Sequence, residues 1–166
     1  MKKLILYIVI ASSILTSQDQ LFVGTRPLGM GGAFIAVADD GNTITWNPAG
    51  LPRLRRKEFT SSYADLYAMD ITHSYTGIVW PFGDRIAVGF DWANVGFDDQ
   101  ELSYSENKLN FSIGYQPFKL ISIGGTFKYL SRDMGLDGTS YGKSTGIGYD
   151  LGLLVSPHKK IRFGLG

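Results

Sequence analysis

From about Lys57 onward, large apolar residues alternate with small or polar ones, and a period of two is the pattern of β-strands. It predicts strands near 57–65, 71–80, 85–97, 108–116, 120–131 and 145–156, and a seventh from Ile161; the first two alternate poorly. Four segments place their apolar residues clearly on one face: Ile86, Val88, Phe90 and Trp92; Leu109, Phe111, Ile113 and Tyr115; Ile121, Ile123, Phe127 and Tyr129; and Ile147, Tyr149, Leu151, Leu153 and Val155.

The connections between the predicted strands alternate in length. Three of them, at 81–84, 117–119 and 157–160, are short and begin with proline, whereas 98–107 and 132–143 are predicted to be long loops. Alternating short and long connections predict antiparallel hairpins that run up and down, with every short turn at the same end of the sheet.

The chemistry of the two faces distinguishes two architectures. A soluble antiparallel sheet shows water a face rich in Lys, Glu and Thr, whereas a transmembrane barrel turns its apolar face to lipid and lines its lumen with small and polar groups. Here the polar face is largely Gly, Ser, Ala and Asn, so we expect an all-β fold, an antiparallel transmembrane β-barrel. Aromatic residues near the predicted strand ends agree with interfacial girdles: Trp80, Phe82, Tyr115 and Phe118 by the short turns, and Trp92 and Tyr129 toward the long loops.

The number of strands predicts an incomplete barrel. Bacterial single-chain barrels have even strand numbers from eight upward, because an unpaired edge in lipid leaves backbone groups unsatisfied. Outer-membrane proteins also commonly end in an aromatic residue, whereas this sequence ends Leu165-Gly166 within the seventh predicted strand. We therefore expect an N-terminal fragment cut within a strand. Residues 57–166 would form the partial barrel.

Residues 1–17 have the layout of a secretory signal peptide. Lys2 and Lys3 precede an apolar stretch at 4–15, and small polar residues follow. Removing these two lysines from 16 basic residues leaves 14, against 15 acidic residues. A near-neutral mature chain argues against a nucleic-acid partner.

Few side chains could carry out covalent chemistry. The chain has no Cys, which excludes disulfides and thiolate ligands, and its two histidines are His73 and His158. No nucleophile and base stand at a spacing that indicates a catalytic set. We therefore predict no catalytic residue, no metal site, no cofactor and no enzymatic activity.

The stretch GTRPLGMGGAFIAVADDGNTITWNPAGL resembles the start of the FadL-like outer-membrane transporters of hydrophobic compounds, and closely that of their PorV-like relatives. Three pieces carry the resemblance in the family's order: G-x-R-x-L-G-M-G-G-A at 24–33, A-x-A-D-D at 36–40 and W-N-P-A-G-L at 46–51. The resemblance implies a fourteen-stranded barrel whose N-terminal segment, here residues 18–56, folds into the lumen as a plug. A movable gate and a static stopper are both consistent with it.

Glycine is abundant in the predicted plug, and a segment inside a barrel needs it. Such a segment cannot join the sheet, so it must satisfy its backbone through tight turns, side-chain caps and contacts with the wall. Gly29, Gly31 and Gly32 permit positive φ and close approach to that wall.

Polar side chains of the predicted plug can supply the caps. Asp39 or Asp40 can accept backbone N–H groups in a turn, or cap a short helix at 45–50. Asn47 precedes Pro48, which favours an extended or turn backbone at Asn47. The side-chain amide of Asn47 is then free to bond nearby carbonyl groups.

Three charged residues fall on the small-residue face of the predicted strands. Asp91, Lys128 and Asp150 lie at comparable distances from their short turns, so we expect them at one level of the lumen. They would form a polar girdle that shapes the passage or binds the plug, or Lys128 would simply neutralise Asp150 on the neighbouring strand.

The third predicted strand changes phase at Ala93-Asn94, because Val95 and Phe97 are apolar at the opposite parity from the residues before them. A shift of one residue is what a β-bulge produces, and the end of the strand produces the same pattern. The family resemblance implies sideways ligand release at a kinked third strand, which makes 89–96 the candidate opening.

A basic cluster, RLRRK at 53–57, joins the predicted plug to the barrel. It could meet lipid phosphates or plug carboxylates, or form a solvated linker. Its place beside the short turns puts it on the periplasmic side of the predicted barrel.

The resemblance implies a channel for passive uptake of hydrophobic small molecules such as fatty acids or aromatics, in the outer membrane of a Gram-negative-type bacterium. Its partners would be outer-membrane lipid and the hydrophobic ligand. The alternative comes from the PorV-like side, where a similar barrel is a partner or scaffold in protein secretion or surface attachment, and secretion components would then bind it.

Overall fold

Seven strands form a single antiparallel sheet. The computed structural model describes residues 24–66, 70–99, 102–136, 139–158 and 160–166, so the predicted signal peptide and the start of segment 18–56 lie outside the described residues. Within these ranges each strand pairs with its neighbours in sequence, which confirms the predicted meander. The strands are β1 (Glu58–Leu66), β2 (Ile71–Phe82), β3 (Ile86–Asp98), β4 (Leu102–Phe118), β5 (Ile121–Leu136), β6 (Thr139–His158) and β7 (Ile161–Leu165).

The sheet forms a half-barrel with short turns at one end. The turns at 83–85 and 119–120 are as tight as predicted, whereas the predicted long loops at 98–107 and 132–143 are mostly strand. β4 begins at Leu102, β5 continues to Leu136, and β6 resumes at Thr139. The polar residues in these stretches pair their backbone N–H and C=O groups with the next strand. Strand pairing therefore continues beyond the last apolar residue of the alternating pattern.

Side chains alternate between two faces that differ in size and polarity. The outer face carries the predicted apolar residues, such as Phe111, whose side chain is 54% exposed, and Leu151, which is 80% exposed. The inner face carries small or polar residues that are buried, such as Ser112 and Thr126 at 0% and 3% exposed. The predicted parity of the two faces is therefore correct.

The inner face is covered by the N-terminal segment, residues 24–56. This segment contains α1 (Thr25–Gly29), α2 (Thr43–Trp46) and a 3₁₀ helix (Pro48–Arg53). The 3₁₀ helix contacts β2, β3, β4, β5 and β6. The predicted helix at 45–50 is divided in two, because Asn47 is extended before Pro48.

The apolar core lies between this segment and the inner face. One cluster gathers around the edge-to-face pair of Phe34 and Trp46, whose ring centroids are 6.2 Å apart, and includes Leu154 of β6. A second cluster joins Ile44 and Leu51 to β2 and β3. In the described residues, no helix is both long enough and apolar enough to cross a membrane.

Candidate functional site

Glycines on the inner face let the N-terminal segment lie directly on the sheet. Gly114, Gly124 and Gly152 face one another on β4, β5 and β6. A methyl group on Gly114 would lie 2.5 Å from Cδ of Pro52, and one on Gly124 would meet the backbone of Pro48. Side chains at these positions would force the segment away from the wall. Sequence reasoning missed these glycines; the signal was their recurrence at inner-face positions of adjacent strands.

Asn47 connects the N-terminal segment to the last two strands. Its backbone is extended, at φ −163° and ψ 101°, as its place before proline predicts. The side-chain Oδ1 accepts a hydrogen bond from the N–H of Ala49 at 3.0 Å. Its Nδ2 donates to the carbonyl of Ile35 at 2.9 Å, and to those of Leu153 and Leu165 at 3.3 Å. The fully buried amide therefore bonds carbonyl groups, as the sequence suggested.

The three predicted glycines of the segment differ in role. Gly31 and Gly32 have positive φ values of +64° and +79°, so both need the freedom of glycine. Gly32 also lies under Trp46, where a methyl group would come within 3.6 Å of the indole ring. The expectation is wrong for Gly29, which ends α1 without positive φ and has open space beside it among the described residues.

The two predicted carboxylates hold a turn and an arginine. Oδ1 of Asp40 accepts the backbone N–H of Asn42 at 2.9 Å, which is the turn geometry expected. NH1 of Arg26 donates to Asp39 at 2.7 Å and to Asp40 at 2.8 Å. These hydrogen bonds, with that to Asp40 the stronger cause, raise the pKa of Arg26 above its ordinary value. Neither carboxylate caps a helix, since α2 follows Asn42 without a side-chain cap.

The three predicted lumen charges come together, although at two levels. Asp91 and Lys128 each pair with Asn110, so they share one level, while Asp150 pairs with Thr126 two residues nearer the short turns. Lys128 Nζ lies 2.6 Å from Oδ2 of Asp150, so the ion pair considered above is present.

Asp91 connects β3 to the N-terminal segment. Its carboxylate accepts hydrogen bonds from Oγ1 of Thr45 at 2.9 Å and from Nδ2 of Asn110 at 2.8 Å. Asp91 is fully buried, so it holds the segment instead of lining an open passage. Within the described part of the chain, no three His, Asp or Glu side chains are grouped so that they could hold a metal ion.

The predicted bulge at Ala93 and Asn94 is wrong. Both residues stay in unbroken register with β2 and with β4. The register shifts in the described strands lie elsewhere, between Tyr115 and Phe118, between Met134 and Gly135, and between Val155 and His158. The proposed opening at 89–96 therefore has no irregularity of pairing.

The change of phase in β3 has a different cause, which is a reversal of polarity on both faces. Beyond Trp92 the outer face turns polar: Nδ2 of Asn94 donates to Oδ1 of Asn107 at 3.2 Å, and Nε1 of Trp92 donates to the same oxygen at 3.1 Å. On the inner face, the rings of Phe97 and Tyr104 stack at 5.9 Å. The apolar band of the outer face thus ends at a defined height.

The basic cluster at 53–57 divides between the lumen and the rim. Arg53 lies against the inner face, where it donates to Ser122 at 3.1 Å and Ser156 at 2.7 Å, and burial lowers its pKa. Arg55 instead reaches Asp84 in the β2–β3 turn at 3.3 Å. Lys57 places Nζ 3.4 Å above the ring of Trp80.

Comparisons with known proteins support the architecture. No protein-family model and no curated protein matches the chain. Among solved structures, the CymD monoaromatic hydrocarbon channel aligns with a TM-score of 0.68 at 19% identity, over 88% of this chain and 52% of that one. A Pseudomonas aeruginosa FadL homologue aligns with a TM-score of 0.55 at 11% identity, over 76% of this chain and 46% of that one.

These likenesses establish the fold. The chain is an antiparallel half-barrel with a folded segment on its inner face, and it spans about half the length of both structures. Its fold is that of the FadL-like channels, as the resemblance at 24–51 implies.

Proposed function

We propose that this chain is part of an outer-membrane β-barrel channel through which hydrophobic small molecules enter passively. The observation that carries the proposal is the outer face, where Phe111, Ile123 and Leu151 are exposed in a continuous apolar band. Such a band is stable against lipid, because a soluble protein rarely exposes so large an apolar surface. Removal of the predicted signal peptide, residues 1–17, would precede insertion.

We also propose that residues 18–56 are the plug of this channel. The described part of that segment fills the inner face and bonds β3 through Asp91, and β6 and β7 through Asn47. A segment in this place closes the passage unless part of it moves. Two parts of the segment differ in burial: residues 41–52 are buried, whereas most of 25–33 is exposed.

Movement is therefore assigned to residues 25–33, which end where Phe34 enters the buried core. Residues 25–33 are tied to the rest of the segment by the exposed ion pairs of Arg26 with Asp39 and Asp40, and exposed ion pairs contribute little to stability. Residues 41–52 would remain as a fixed stopper against the glycines of the wall. The gate and the stopper considered above would then be two parts of one segment.

The proposed substrates are hydrophobic molecules without a required reactive group. One structural neighbour is named as a monoaromatic hydrocarbon channel and the other as a FadL homologue, which supports hydrophobic small molecules as the class to test. Fatty acids stay a prediction from the resemblance at 24–51. The PorV-like assignment, with secretion components as partners, stays a prediction.

Uptake into vesicles tests the proposal. The full-length protein, reconstituted into proteoliposomes, is expected to speed the entry of radiolabelled toluene or oleate, but not of glucose, relative to protein-free vesicles. Equal rates with and without protein would contradict the channel. Equal rates together with recovery of the protein from cells in complex with secretion proteins would favour the scaffold alternative.

A further inference from the structure

The two ends of the half-barrel carry opposite charge. Among the described residues at the short-turn end, basic side chains outnumber acidic ones: Arg55, Arg56, Lys57, Arg85, Lys119 and Lys160 against Glu58 and Asp84. At the other end the balance is reversed: Asp65, Asp70, Asp98, Asp99, Glu106 and Asp133 against Arg132 and Lys143. A nearly neutral chain is therefore strongly polarised along its strands.

Part of the basic end is organised as a cleft between two short turns. The cleft has a volume of about 340 Å³ and is lined by the β2–β3 turn, the β4–β5 turn and the linker before β1. Three cations face it, from Arg55, Arg85 and Lys119, together with one carboxylate, that of Asp84.

The cations of this cleft are only partly neutralised. Arg55 spans the cleft to Asp84, with NH1 at 2.9 Å from the backbone carbonyl and 3.3 Å from Oδ1. Asp84 is 94% exposed, so water screens its charge. Within the described ranges, no carboxylate lies within ion-pair distance of Arg85 or Lys119.

Aromatic side chains indicate where the cleft lies relative to the membrane. Phe118 belongs to its lining, is 68% exposed and lies at the end of the apolar outer face. Trp80 stands on the same face under Nζ of Lys57, at 3.4 Å. Aromatic rings at this boundary lie at the level of lipid headgroups, so the cleft lies there too.

We propose that this cleft binds the phosphate of an anionic phospholipid in the leaflet that faces the short turns. The proposal rests on the proposed function, since it requires the outer face to be in lipid. The headgroup would accept hydrogen bonds from Arg85 and Lys119, and an acyl chain would run along Phe118. Three cations against one carboxylate favour a lipid with net negative charge over a zwitterionic one.

Lipid selectivity of the full-length protein tests the assignment. The protein in nanodiscs of phosphatidylcholine with a small fraction of phosphatidylglycerol is analysed for the lipid that it retains after transfer to detergent. We expect retention of phosphatidylglycerol on the order of fivefold above its share, decreasing as salt is raised. The variant R85Q/K119Q should bring retention close to the bulk share.

A matched variant removes two cations from the other end of the half-barrel, as R132Q/K143Q. It has the same net charge as R85Q/K119Q and should retain the wild-type preference, because Arg132 and Lys143 lie far from the short turns. Inorganic phosphate added to the lipid-bound protein should not displace phosphatidylglycerol, because phosphate lacks the acyl chain that would contact Phe118.

Three results would overturn the assignment: equal retention of both lipids by the wild type, equal losses in the two variants, or displacement by phosphate alone. An acidic protein bound at this rim in place of lipid would also overturn it. Failure of the channel proposal is distinct, because it would appear as unchanged uptake into proteoliposomes, or as a protein that does not insert, and not as lost lipid selectivity of the inserted protein. Each variant is checked for insertion before lipid is measured.

Discussion

The outer and inner faces of the same strands differ in what covers their side chains. On the outer face, Phe111 and Ile123 remain exposed to whatever surrounds the protein. On the inner face, Ser112, Gly124 and Thr126 are covered by the protein's own N-terminal segment. A difference of one residue in position thus separates a surface for lipid from a surface for protein, so one alternating pattern encodes both.

The largest expected effect comes from a charge in the apolar band. F111R places a cation at the middle of the outer face of β4, and we expect it to lower the free energy of unfolding in vesicles by about 2–4 kcal/mol. The control is S105R, on the same strand and face but in the polar part beyond Trp92, which should cost about 0–1 kcal/mol. Denaturant titration in vesicles measures both, and similar costs would remove the distinction between band and polar extension.

Two adjacent glycines of β5 compare the faces directly. G124V would push a side chain into the backbone of Pro48 and Ala49, and we expect a loss of about 1–3 kcal/mol together with faster protease cleavage of the N-terminal segment. In G125V the new side chain meets only ordinary contacts, with the carbonyl of Asp150 at 3.6 Å, so stability should be unchanged or slightly higher. Equal effects of both variants would show that the segment does not press on the wall.

A smaller effect is expected at the exposed part of the segment. R26Q removes the pairs with Asp39 and Asp40, and because Arg26 is 48% exposed we expect a loss of about 0.2–1 kcal/mol. Hydrogen exchange should quicken in residues 25–33 and stay unchanged in 41–52. The control is R56Q, whose pair with Glu58 lies at the junction with β1 and outside residues 25–52. Faster exchange throughout 41–52 would contradict the proposal that the exposed and buried parts of the segment are held separately.

The sequence was sufficient for the sheet because alternation encodes it directly. Even the weakly patterned β1 and β2 form where expected. The pattern failed at 98–107, where polar residues continue the strand, and at Ala93-Asn94, where it suggested a bulge. In both places the alternation of apolar and polar residues indicates which side chains face an apolar environment. Strand pairing depends instead on backbone hydrogen bonds, which residues of almost any type can make.

The inner site was harder to predict, because it depends on contacts between distant parts of the chain. Proline after Asn47 was enough to predict its extended backbone, but its partners lie about a hundred residues away in β6 and β7. Gly124 and Gly152 looked like ordinary members of a small-residue face. Their role appears only when register places them side by side beneath the 3₁₀ helix.

The environment of the outer face tests the account most directly. Single cysteines replace Val88, Phe111, Ile123 or Leu151, with Ser112 as the inner-face comparison, and each carries a nitroxide in protein reconstituted into vesicles. The four outer labels should be relaxed strongly by oxygen, which concentrates in lipid, and weakly by a water-soluble nickel chelate, while the label at Ser112 should be shielded from both. Four outer labels that are shielded from oxygen, as within a protein interior, would contradict the account.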